Sequence, residues 1–260
     1  MMYCKNVMVI AGCVLLCASC ACGRGKSGGA DSDSVCHRES GEEVVSSPDL
    51  AFKELSGPVK SAVLEFFSLD NPDEISADSV SYDDEGRVRG LVSYYRSGRD
   101  RTLASDFRFD YTSEGEMLPA PDRVTGGNLE ARIGRDGLGR IVDFVCELSE
   151  DPENGDEGAY REEYSWDEYD RLKSYELTGW EWTARTTYSY DAQGRRSKAV
   201  TVSSDIGFES TDTQTYSYKA FDSHGNWTER EVKVVSEQDE DGVKSRHTSV
   251  RIERRRIHYR

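Results

Sequence analysis

Tyr188-Ser189-Tyr190-Asp191-Ala192-Gln193-Gly194-Arg195-Arg196 reads as a strand, a tight turn and the start of a second strand. Tyr188 and Tyr190 alternate with a serine, so both rings point to one face of an extended chain. Asp191 can accept hydrogen bonds from its own backbone across the turn. Gly194 can adopt the positive φ that closes it.

The same unit recurs. Aligned on the turn residue, the copies fall at Gly86, Gly115, Gly139, Asp170, Gly194 and Gly225, at spacings of 29, 24, 31, 24 and 31 residues. Asp is one of the few residues besides glycine that tolerates the left-handed region. Three positions earlier stand Asp83, Thr112, Asp136, Asp167, Asp191 and Asp222. Four earlier stand Tyr82, Tyr111, Arg135, Trp166, Tyr190 and Phe221. One position after the turn is Arg87, Arg140, Arg171 or Arg195, with Glu116 and Asn226 as exceptions. Two after it are Val88, Met117, Ile141, Leu172, Arg196 and Trp227. A period of this length marks a repeat architecture.

An aromatic residue, Asp, two variable residues and Gly-Arg resemble the YD (RHS-type) repeat, and most closely the short YD-like lipoproteins of Bacteroidetes-type bacteria. Leu55-Ser56-Gly57-Pro58-Val59-Lys60 and Asp222-Ser223-His224-Gly225-Asn226-Trp227-Thr228 resemble the first and last elements of that group. The resemblance covers roughly residues 50–260. It implies a β-repeat unit without a defined activity. In large toxins such repeats form a shell around a separate toxic domain, and nothing here resembles that cargo.

Hairpins follow one another from a first strand at Pro58–Leu69, broken by Asn71-Pro72-Asp73, to the C-terminus. About fourteen strands are predicted, including one at 116–125, with no helix outside the first residues. Tyr216 and Tyr218 fall out of phase with Phe221, which predicts a β-bulge around Lys219-Ala220. Alternation gives each strand one apolar face, and a meander with one such face curls until that face is covered. The expected fold is therefore all-β: a long antiparallel meander, strongly twisted and curled as an open spiral or a barrel. Two stacked sheets are the alternative.

The first residues carry an address. Val7–Leu16 is apolar and too short to cross a membrane, and Cys17-Ala18-Ser19-Cys20 follows. Residues 1–19 read as a lipoprotein signal peptide, with Cys20 as the lipidated residue. Cys17 stands where that signal usually has Leu, and Cys22 is the alternative acceptor. Residues 20–47, rich in Gly, Ser, Asp and Glu, read as a disordered tether, and 48–260 as the repeat domain. Ala21-Cys22-Gly23-Arg24-Gly25-Lys26 delays the first acid to Asp31. In Bacteroidetes-type lipoproteins early acids direct export to the cell surface, so the resemblance favours the periplasmic side of the outer membrane.

The net charge of −16 excludes nucleic acid as a partner. The membrane enters through the lipid anchor alone, and the remaining partner is an envelope protein or a glycan. Cys146, in a Val-rich strand, is expected to be a buried free thiol. No cofactor, metal or catalytic set is legible. Asp222-Ser223-His224 lies in one tight turn and cannot form a relay. The acids of Glu237–Gly242 begin like a calcium loop, but Thr248 stands where the closing acid belongs. With 49 acidic residues, a carboxylate pair suited to glycoside hydrolysis can assemble in space. Tyr164, Trp166, Trp180 and Trp182 make a binding platform if they turn outward and core if they turn inward. Arg251, Arg254, Arg255, Arg256 and Arg260 pair with acidic neighbours or form a docking patch. The expected function is a lipid-anchored, non-catalytic envelope protein that presents a β-repeat surface for binding or scaffolding. The alternatives are a glycan hydrolase and an immunity module related to toxin shells.

Overall fold

The computed structural model describes residues 47–69, 73–97, 100–127, 129–148 and 159–260. The expected signal peptide with Cys20, residues 20–46 of the expected tether, the Asn71-Pro72 break and the acidic stretch Glu150–Gly158 lie outside the described residues.

Among the described residues a short helix, α1 (Pro48–Phe52), precedes fourteen strands. They are β1 (Val59–Ser68), β2 (Glu74–Tyr82), β3 (Val88–Ser97), β4 (Asp100–Arg108), β5 (Ala120–Pro121), β6 (Leu129–Arg135) and β7 (Ile141–Leu148). Then come β8 (Tyr160–Trp166), β9 (Leu172–Gly179), β10 (Thr183–Tyr190), β11 (Arg196–Asp205), β12 (Phe208–Phe221), β13 (Trp227–Glu240) and β14 (Val243–Tyr259). All lie in one antiparallel sheet, ordered β4-β3-β2-β1-β14-β13-β12-β11-β10-β9-β8-β7-β6-β5.

The first strand therefore pairs with the last, and the edges of the sheet fall between β4 and β5. There the edges meet through a few hydrogen bonds. Arg123 N–H donates to Asp106 O (3.1 Å), Leu118 N–H to Asp110 O (2.8 Å), and Asp106 N–H to Asp122 Oδ1 (2.9 Å). The result is a nearly closed, barrel-shaped sheet, which covers its own apolar face as the alternation requires. The strand expected at 116–125 shrinks to the two residues of β5, because Pro119 and Pro121 bring no N–H to a ladder. The expectation of no helix is corrected by α1. Ser47 caps it, its Oγ accepting from Leu50 N–H at 3.1 Å, and Pro48 opens it.

The repeat turns share one geometry at one end of the barrel. Gly86, Gly115, Gly139, Gly194 and Gly225 have φ between +77° and +85°, and Asp170 has +58°. In each of four turns one aspartate does three things. Asp191 Oδ1 accepts from Gln193 and Arg195 N–H (both 2.9 Å), and Oδ2 accepts from Arg195 Nε (2.8 Å). Asp83, Asp136 and Asp167 repeat this with Arg87, Arg140 and Arg171.

Each arginine then lies over the aromatic ring of the next unit. Arg87 covers Tyr111 at 4.3 Å, Arg171 covers Tyr190 at 4.3 Å and Arg195 covers Tyr218 at 5.5 Å. The rings reach back to the backbone of the preceding unit. Tyr111 OH donates to Val88 O, Trp166 Nε1–H to Ile141 O, Tyr190 OH to Leu172 O and Tyr218 OH to Arg196 O, at 2.6–3.0 Å. The periodic sequence thus becomes a ring of stitches that sets the spacing of the hairpins. The register of β12 slips on both sides of Ala220, as the phase of its tyrosines predicts. Tyr218 thereby takes the ring position, and Phe221, aligned there by sequence, stays exposed.

Candidate functional site

The chain between Ser47 and Gly57 runs into the mouth of the barrel that the repeat turns surround, and it is held on several sides. Ser47 Oγ–H donates to Gly86 O (2.7 Å), and a Cβ on Gly86 would meet that Oγ at 2.8 Å. Gly86 is therefore required twice, for its φ and for this approach. Asp49 accepts from Val88 N–H and from Arg135 Nη2, both at 2.8 Å. Phe52 is fully buried, edge-on to Tyr164 at 4.9 Å. Ser56 N–H donates to Asn226 Oδ1 (2.8 Å), and Asn226 Nδ2 donates back to Ser56 O (2.9 Å). The segment is a plug made by the chain itself.

At its centre is Glu54, 5 % exposed and in the left-handed region at φ +56°. A residue with a Cβ is strained there by about 1–3 kcal/mol. The surroundings hold it. Trp227 Nε1–H and Arg230 Nη1 (3.1 Å) donate to Oε2, Arg255 Nη2 lies 3.7 Å away, and Arg196 Nη2 is 3.5 Å from Oε1. Arg255 also donates to the carbonyls of Lys53 and Glu54. Arg230 continues to Glu253 (2.6 Å), which binds Arg251 (2.8 Å). Burial alone would raise the Glu54 carboxyl. The field of Arg196, Arg230 and Arg255 outweighs it and holds the group at about 2. Glu253 is likewise lowered against its burial, by Arg230 and Arg251.

Arg196 stands apart in this cluster. It is fully buried, and among the described residues none of its three guanidinium nitrogens has a hydrogen-bond partner. Its charge is met by Glu54 and by the faces of Tyr188 (4.1 Å) and Tyr216 (5.7 Å). Arg135, Arg196 and Asn226 are all departures from the repeat, and all three touch the plug. At these three positions the departing side chain is the one that holds this segment.

A second polar group lies further along the interior. Asp78 faces Leu64 and Ser93 across neighbouring strands, and Ser93 Oγ–H donates to it at 2.7 Å. Glu162, fully buried, accepts from Tyr164 OH, and its Oε1 has no partner among the described residues. Lys53 is close enough to both carboxyls to draw them down in part. Burial dominates, raising Asp78 to about 7 and Glu162 to about 8. Between plug and sheet is a cavity of about 30 Å³ lined by Lys53, Leu55, Asp78, Ser93 and Arg255 among others. It has room for one or two waters.

The four aromatics of the expected platform do not share a surface. Tyr164 is buried and stacks on Tyr175, and Trp166 packs on Phe52 inside the barrel. Trp180 and Trp182 stand in the β9–β10 loop, not on a strand. Trp180 is 68 % exposed, and Trp182 folds over Gly179. The C-terminal arginines do not form one patch either. Arg251 and Arg255 turn inward, while Arg254 pairs with Glu229 and Arg256 with Glu65. His224 stacks on Tyr259 at 4.2 Å, and Asp222 serves its turn by accepting from His224 and Asn226 N–H. Asp241 and Gly242 form a two-residue hairpin turn, both at positive φ. Cys146 is a buried free thiol, pushed by burial up to about 12.

No family model and no curated protein matches the chain. Among solved structures it is similar to a porin-like protein from Bacteroides uniformis, at 12% identity and a TM-score of 0.43, over 77% of this chain and 97% of that one. It is also similar to a chain of a TcdB2-TccC3-Cdc42 complex, at 14% identity and a TM-score of 0.32, over 66% of this chain and 8% of that one.

Proposed function

We propose that the chain is a lipid-anchored, non-catalytic protein of the bacterial envelope, of the YD-repeat type, whose barrel displays its outer surface for binding or scaffolding. Cys20, the apolar run before it and the tether after it support the anchor. The observation that carries the display reading is the plug. Ser47 is bonded to Gly86 among the repeat turns, so a tether arriving at Ser47 joins the barrel at that end. The hairpins around Trp180, Ile206 and Val243 then project from the opposite end, away from the anchor, and these three residues are exposed. The late first acid, Asp31, favours the periplasmic side.

Asp78 and Glu162 motivate a second reading, a hydrolase built on paired carboxylates. A sugar ring needs a cleft of hundreds of Å³, against the roughly 30 Å³ beside Asp78. The display reading is therefore preferred.

Fractionation with protease treatment tests it. The protein is expected in the outer-membrane fraction, protected in intact cells and cut after lysis. Cleavage in intact cells would place it on the surface. A soluble protein in either compartment would end the proposal.

A further inference from the structure

β1 covers only part of the last strand. Its pairing with β14 runs from Val59 opposite Tyr259 to Ser68 opposite Arg251, and Leu69 N–H then donates to Val250 O at 3.0 Å. β14 begins seven residues earlier, at Val243, paired on its other side with β13. Among the described residues nothing pairs with the outer edge of residues 243–249, and Val243 to Thr248 are exposed. This is about 24 Å of open strand edge.

Alternation fixes what that edge offers. Val250 directs its carbonyl towards β1, so Lys244, Arg246 and Thr248 direct their N–H and C=O the same way, into the open. These even-numbered residues share a sheet face with Arg254 and Arg256. In the covered half each of those arginines meets a carboxylate, Glu229 at 2.8 Å and Glu65 at 2.6 Å, the latter supplied by β1 itself. In the uncovered half Arg246 reaches Glu237 only at 3.5 Å, with both side chains more than half exposed. Lys244 has no ion pair within 4.0 Å among the described residues.

We propose that residues 243–249 are a strand-addition site for an extended acidic segment of a partner protein, which continues the line of β1 along β14. This rests on the display reading and names the surface displayed. A partner strand would gain the backbone bonds of Lys244, Arg246 and Thr248 and would set its acids against the two basic side chains. A second copy of this edge does not fit. Antiparallel self-pairing centred on Arg246 places it opposite its own counterpart, a like-charge contact. The two basic residues thus keep the edge from pairing with itself and leave it open to an acidic strand.

The test uses the mature full chain, isotope-labelled, and two short synthetic peptides, one alternating Thr with Glu and one alternating Thr with Lys. The Glu peptide is expected to slow amide exchange at Lys244, Arg246 and Thr248 by about tenfold or more, and the Lys peptide is not. Thr248→Pro removes an N–H that faces solvent, so the barrel keeps its ladder while peptide protection is lost. The double variant Lys244→Glu, Arg246→Glu is expected to reverse the preference between the peptides. No protection, equal protection by both peptides, or protection unchanged in both variants overturns the proposal. Such a failure leaves the fractionation result standing. A soluble protein in fractionation would defeat the display reading without touching this edge.

Discussion

Replacing Glu54 by Gln keeps the shape of the plug and removes the charge at its centre. In the native interior four arginines, Arg196, Arg230, Arg251 and Arg255, face two carboxylates, Glu54 and Glu253, so two positive charges are already in excess. Glu54→Gln raises that excess by one. A carboxyl held at about 2 rather than the ordinary 4.5 is favoured in its charged form by about 3 kcal/mol, at about 1.4 kcal/mol per pH unit. Breaking one side of a buried ion pair costs about 3–5 kcal/mol, in agreement. Glu54→Gln should therefore lower stability by about 3 kcal/mol and the melting temperature by roughly 10 °C. Arg196 supplies the control. It sits at a repeat position filled elsewhere by Val88, Met117, Ile141 and Leu172, and its guanidinium makes no hydrogen bond among the described residues. Arg196→Leu should be near neutral, and in that background Glu54→Gln should cost about 1–2 kcal/mol less, because one of the stranded charges is gone. Urea denaturation of the four proteins of this cycle gives the numbers. A cost below about 1 kcal/mol for Glu54→Gln, or the same cost in both backgrounds, would refute the assignment of Glu54 as the anchor of the plug.

Stability should peak between about pH 4 and pH 4.5. Glu54 and Glu253, held low, contribute stability above about pH 4.5 that is lost as pH falls. Asp78 and Glu162, raised to about 7 and 8, contribute stability that is complete below about pH 4 and lost as pH rises through those values. Glu162→Gln should therefore stabilise the protein at pH 8.5 and leave it nearly unchanged at pH 4, as chemical denaturation at the two pH values would report. Asp191→Ala strips two backbone N–H groups and Arg195 of their acceptor and should cost about 1–2 kcal/mol by thermal unfolding. Cys146 should resist a thiol reagent at pH 8 in the folded protein and react on unfolding; fast labelling of the native state would contradict its burial.

The parts legible in the sequence are those written in local pattern. Six turns could be aligned because each needs a residue that tolerates positive φ and an acceptor three positions before it. The bulge in β12 was legible as a break in tyrosine phase. What period and turn chemistry do not encode is the identity of distant partners. α1 spans five residues, too few to show a helical period, and it forms because Ser47 caps it and the barrel buries Leu50 and Phe52. Arg135, Arg196 and Asn226 were visible as departures from the repeat. Their common cause was not, because the plug residues they touch lie 86 positions away for Arg135 and 170 for Asn226. Trp166 and Trp180 looked alike in sequence, each in alternation with another aromatic. The hairpin loop after Gly179 separates them, leaving one in the core and the other in solvent.

The most direct test of an anchored display unit is metabolic labelling with a clickable fatty acid, comparing the native protein with Cys20→Ala. Label on the native protein, lost in Cys20→Ala together with membrane association, is the predicted result. An unlabelled native protein that fractionates as soluble would contradict the account.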